Sequence, residues 1–160
     1  MNEYRICKYN PRFRVNGVYI KDEWTSVSDI GKTFEDGALT EKECRKTVNG
    51  YVTCLMAIFQ HSIKKNGNEL KINGLERWSK RVLWKEGQII TADNLEQLIR
   101  DCLNEKCWCR IENEDSFIHF GYELYVYVGC DLDSKTVMEI AQNNGLFADV
   151  KKSPYHCICK

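Results

Sequence analysis

The stretch CWCRIENEDSFIHFGYELYVYVGC, residues 107–130, sets the architecture of this chain. It holds three β-prone runs, Cys107 to Glu112, Ser116 to Phe120 and Tyr122 to Cys130, and the first two are joined only by Asn113-Glu114-Asp115. So short and polar a connection predicts an antiparallel meander. In the third run the two-residue period of a strand puts Tyr122, Leu124, Val126 and Val128 on one face, the expected core. Glu123, Tyr125 and Tyr127 fall on the other face.

The flanks add helices. Upstream, Thr91 is expected to cap a helix with the apolar face Leu95, Leu98, Ile99, Cys102 and Leu103, and Asp93 and Glu96 suit the positive end of its dipole. Downstream, Asp133 caps a helix bearing Val137, Ile140 and Ala141 that ends at Asn144-Gly145. A last strand, Tyr155 to Cys159, is expected to close the chain. Near the N-terminus, Tyr4 to Tyr9 reads as a strand, and Asn16-Gly17 between short β-prone runs is a strong hairpin signal. Asn-Gly recurs at Asn49, Asn66, Asn73 and Asn144, and most of these pairs are expected at tight turns or helix ends. Thr40 and Glu43 form a capping box for the longest helix, whose face is Cys44, Val48, Tyr51, Val52, Leu55, Ile58 and Phe59. Gly50 lies inside it, at a cost of roughly 1 kcal/mol against Ala. Glu69 to Ile72 reads as a short strand, and the segment around Trp78, Val82, Leu83 and Trp84 takes no clear assignment. Hairpins outnumber strand-helix alternations, so the expected fold is α+β: one domain over 1–160, a mainly antiparallel sheet and about three helices.

The chain has 160 residues with 23 basic and 23 acidic side chains and 43% hydrophobic residues, the composition of an ordinary globule. No apolar run approaches the roughly 18 residues of a membrane span, and the first ten residues lack a secretory signal's apolar core, so a cytosolic protein away from the membrane is expected. Zero net charge argues against direct nucleic-acid binding over a broad surface. The balance conceals a gradient, because residues 101–139 carry nine acidic against three basic side chains.

That acidic block interleaves carboxylates with aromatic residues. Glu112, Glu114, Asp115, Glu123, Tyr125, Tyr127 and Asp131 are the candidate partner-binding residues, since carboxylates steer a basic partner and tyrosines anchor it. Catalytic signatures are missing. Asp29-Ile30-Gly31-Lys32-Thr33 resembles the end of a phosphate-binding loop, but the first glycine of that motif would fall on Ser26. Only His61, His119 and His156 could act as imidazole bases; His119 with Cys109 on a neighbouring strand is the conceivable nucleophilic pair, and no enzymatic activity is expected.

Nine cysteines invite a second reading. An odd number without a secretory signal fits reduced thiols that pack as small apolar groups. The alternative is a metal-binding or redox protein using the pairs Cys107/Cys109 and Cys157/Cys159, although zinc sites more usually space their thiols C-x2-C. The expectation is no cofactor and no metal.

Three stretches resemble small bacterial immunity proteins, including those of contact-dependent growth inhibition: Tyr4-Arg5-Ile6-Cys7-Lys8-Tyr9-Asn10-Pro11, Asp22-Glu23-Trp24-Thr25-Ser26 leading to Asp29-Ile30-Gly31, and Phe117-Ile118-His119-Phe120-Gly121-Tyr122. The resemblance implies a cytoplasmic antitoxin that binds the C-terminal nuclease domain of its cognate toxin and occludes the active site, with an EndoU-like RNase as the favoured toxin. Such proteins share no universal contact residues, so none is transferred to this chain by position.

Overall fold

In the computed structural model, which describes residues 1–60 and 68–157, seven antiparallel strands form one sheet. The strands are β1 (Asn2–Cys7), β6 (Leu70–Arg77), β7 (Ile89–Ile90), β8 (Cys107–Glu112), β9 (Phe117–Phe120), β10 (Val126–Cys130) and β11 (Phe147–Val150). Their order is β11-β1-β10-β9-β8-β6-β7. The expected meander is its centre: β8 pairs with β9 and β9 with β10, all antiparallel. Two small hairpins, β2 (Arg14–Val15) with β3 (Val18–Tyr19) and β4 (Thr33–Phe34) with β5 (Gly37–Ala38), stand outside the sheet. The first turns at Asn16-Gly17, where both residues have positive φ, 51° and 79°, as a type I′ turn requires.

Helices α1 (Glu41–Phe59), α2 (Ala92–Leu103) and α3 (Ser134–Asn143) supply the apolar stripes that the spacing predicts. The Thr40–Glu43 capping box forms, and Asp133 accepts from the Thr136 N–H. At α2, the Asn94 side chain accepts from the Thr91 N–H at 2.8 Å. The buried face of α1 runs from Cys44 to Phe59 and that of α2 from Leu95 to Leu103. These stripes pack with Cys107, Cys109, Ile111, Ile118, Val126 and Val128 of the sheet in one core. Gly50 lies inside α1 where a side chain has no room: a β-carbon there would meet the Asn144 backbone oxygen at 2.6 Å. Of the recurring Asn-Gly pairs, Asn49-Gly50 is therefore a crossing point rather than a turn. Asn73-Gly74 marks a bulge in β6 and Asn144-Gly145 ends α3, while Asn66 lies outside the described residues.

Three expectations are corrected. The run from Tyr122 does not start as a strand: Tyr122–Leu124 is a 3-10 turn with Glu123 and Leu124 at positive φ, so Tyr122 is 85% exposed instead of core. Among the described residues the final strand is Phe147–Val150, on the outer edge of β1. The segment expected to be that strand is a turn at 154–156, and residues 158–160, including Cys159, lie outside the described residues. Leu70–Arg77 also runs longer than the short strand expected there.

Candidate functional site

The alternation along the strands sorts side chains between two unlike faces. Opposite the helices lie Glu3, Arg5, Trp108, Arg110, Glu112, Phe117, His119 and Tyr127, as the cross-strand pairs Arg110↔His119 and Tyr127↔His119 require. Residues 153–157 lie against this face as a strap. Ser153 Oγ stands 2.7 Å from His119 Nδ1, and Glu112 Oε1 stands 2.7 Å from His119 Nε2. His156 meets Glu3 at 3.0 Å, and the Tyr155 ring packs against Trp108 and Tyr127.

Burial drives the His119 pKa down to about 4, against the pull of the adjacent carboxylate. The neutral ring satisfies every neighbour: Nε2–H donates to Glu112, Nδ1 accepts from the Ser153 hydroxyl, and Ser153 Oγ accepts from the Tyr155 N–H. A serine, a histidine and a carboxylate in line are the residue types of a hydroxyl nucleophile. Here His119 is 0% exposed and Ser153 is 7% exposed, so a substrate carbonyl has no approach, and the trio fastens the strap to the sheet. Cys109 points to the helices, so the His119/Cys109 pair that strand adjacency made conceivable is split by the sheet.

The same alternation separates the thiols. Cys107 and Cys109 face the core, each 3.8 Å from the Cys102 sulfur, whereas Cys157 is exposed and contacts Arg110 on the other face. The sheet therefore stands between the first C-x-C pair and Cys157.

The open site lies at the end of the sheet where β9 hands over to β10. A cavity of about 440 Å³ is lined by Trp78, Trp108, Tyr122, Tyr155, Glu76, Glu105 and Glu123, with Cys102 and Leu103 of α2 also on its wall. Three carboxylates line it and no Lys, Arg or His is among its described lining residues. Trp108 is held by its Nε1–H, which donates to the Phe120 carbonyl at 2.7 Å. Trp78 is 57% exposed, so two large rings, Trp78 and Tyr122, present area to solvent.

The backbone around this groove is strained. Among the described residues four non-glycine residues have positive φ, and three of them, Glu105, Glu123 and Leu124, line the cavity. Such conformations persist only where the surroundings hold them, at about 1–3 kcal/mol each. Two tyrosines provide the hold: Tyr9 donates to the Glu123 carbonyl at 2.5 Å and Tyr51 to the Leu124 carbonyl at 2.6 Å. Burial raises the pKa of both phenols, which keeps them as donors.

The residues singled out from the acidic block do not form one patch. Glu123 and Tyr125 line the groove. Tyr125 is half-buried, its hydroxyl accepting from Arg14 at 2.7 Å and its ring lying against Arg5 and Arg14. Tyr127 is half-buried under Tyr155. Glu114, Asp115 and Asp131 sit at the opposite end of the strands, on the order of 15 Å away at about 3.3 Å per residue. There Asp115 accepts from Asn68, and Asp131 lies 3.8 Å from the N-terminal ammonium. Glu112 belongs to the His119 network. Glu105 and Trp108 lie within the acidic, aromatic block, but Glu76 and Trp78 lie upstream of it, and no spacing in the sequence links the four.

Among the described residues no helix is long and apolar enough to cross a membrane. Comparison of the chain with protein-family models, with curated proteins and with solved structures finds no match.

Proposed function

We propose that this protein is a non-enzymatic, immunity-type inhibitor. It binds the C-terminal nuclease domain of a cognate toxin, an RNase, in the cytosol of the producing cell and blocks access to the toxin's active site. The observation that carries this reading is the groove at the β9–β10 end: three carboxylates, no cation among its described lining residues, and two exposed aromatic rings, Trp78 beside the end of β6 and Tyr122 on the turn that Tyr9 and Tyr51 hold. A nuclease needs a positive surface to receive phosphates, and a preorganised acidic and aromatic surface complements it in charge while supplying anchoring area. The resemblance of the N-terminal and β9 segments to immunity proteins supports the same reading.

The test is co-expression with the product of the adjacent upstream reading frame. A stoichiometric complex that restores growth and stops RNA cleavage in vitro is the expected result. Association should be faster at low salt, and reversing the groove charges with Glu76→Lys, Glu105→Lys and Glu123→Lys should slow it about tenfold or more. If the neighbouring product neither binds the protein nor is neutralised by it, the inhibitor reading fails.

A further inference from the structure

We infer that the groove is a guanidinium site: it takes one arginine side chain of the partner between the Trp78 and Tyr122 rings, with Glu76, Glu105 and Glu123 neutralising its charge. This rests on the reading of the protein as a binder of a basic partner and names the chemistry recognised at this one place.

Three features select arginine. Among the described lining residues the charge is wholly negative, which disfavours phosphates and carboxylates as occupants. The carboxylates come with aromatic faces, and an ammonium or guanidinium over such a face gains from the ring quadrupole. Between these two cations, the planar and weakly hydrated guanidinium stacks on rings and bonds carboxylates in a fork, whereas the ammonium of lysine holds its water more tightly. Trp108 adds a ring that is held in place and has no free donor, because its indole N–H is already committed to the Phe120 carbonyl.

The rings on the groove also report on it. Titration of the ¹⁵N-labelled protein with N-acetyl-arginine methylamide should move the Trp78 and Trp108 indole signals with a saturable, millimolar profile. The Trp24 and Trp84 signals should stay in place, since neither residue lines the groove. The lysine derivative should bind roughly threefold or more weakly, and the uncharged citrulline derivative should not saturate. Glu76→Gln, Glu105→Gln and Glu123→Gln together should abolish the response while Trp24 and Trp84 keep their folded positions, and Trp78→Ala should weaken it. No saturable shift with the arginine probe, an equal response to citrulline or to lysine, or a response that survives the triple substitution would overturn the assignment. No toxin enters this titration, so its failure leaves toxin neutralisation standing as a separate result, and the converse holds.

Discussion

The backbone oxygen of Asn144, at the end of α3, lies 2.6 Å from the position a β-carbon would take at Gly50 in the middle of α1. The two helices touch there through bare backbone. Alanine would ordinarily strengthen a helix interior by about 1 kcal/mol over glycine, but here it must push α3 away. Gly50→Ala should therefore destabilise the protein by a net amount of about 1–2 kcal/mol in urea unfolding, as overpacking does. Thr53→Ala, on the exposed side of the same helix, should be neutral or slightly stabilising.

Glu112 and Glu114 are neighbours in sequence and unlike in role. Glu112→Ala leaves the buried Nε2–H of His119 without an acceptor and should cost about 2–3 kcal/mol. Glu114 is exposed, and Glu114→Ala should stay within about 0.5 kcal/mol of the parent in the same assay.

His119 makes stability depend on pH in a defined window. Its folded pKa of about 4 lies below the ordinary value of 6.5, so between these the unfolded chain binds a proton that the folded one refuses. Stability is complete above pH 6.5 and falls as pH drops through the window, by up to about 3 kcal/mol at about 1.36 kcal/mol per unit. In urea titrations at several pH values, His119→Gln should remove this slope and leave the steeper acid loss below it.

Thiol reactivity separates Cys157 from the core cysteines. Cys7, Cys44, Cys54, Cys102, Cys107, Cys109 and Cys130 are buried, and burial raises Cys54 to about 12, whereas Cys157 is exposed. With a chromogenic disulfide reagent on native protein, Cys157→Ser should remove one fast-reacting thiol, and Cys54→Ser should remove none until the chain is unfolded. Loss of a fast thiol on Cys54→Ser would contradict the packing of α1.

Tyr51 couples the core to the groove. Its hydroxyl accepts from the Lys8 N–H at 2.9 Å and donates to the Leu124 carbonyl at 2.6 Å. Tyr51→Phe should cost about 1–3 kcal/mol, because both backbone groups lose their partner. The turn that carries Glu123 should loosen with it, so binding of the proposed partner should weaken although Tyr51 lines no part of the cavity; an unchanged affinity with reduced stability would separate the turn from binding.

The meander of β8 to β10, the stripes of all three helices and the caps at Thr40 and Asp133 were readable from residue spacing. Each depends on neighbours within about four positions, where strand and helix periods act directly. Two local readings failed for non-local reasons. Tyr122 matched the strand period, but Tyr9 and Tyr51, from distant segments, hold the next residues in a turn that no local pattern announces. The strand β11 has a weak pattern of its own and exists because β1 offers it an edge.

The site divides the same way. Composition showed an acidic, aromatic block and named Glu123 and Tyr125 within it, but residues alternating along one strand also leave to opposite faces, so the block could not be a single surface. Which carboxylates meet was decided only when the chain folded: Glu76 from β6, Glu105 from the end of α2 and Glu123 from the β9–β10 turn converge on one groove. Proximity between segments this far apart arises from sheet order and helix packing, and it leaves no periodic mark in the residues it joins.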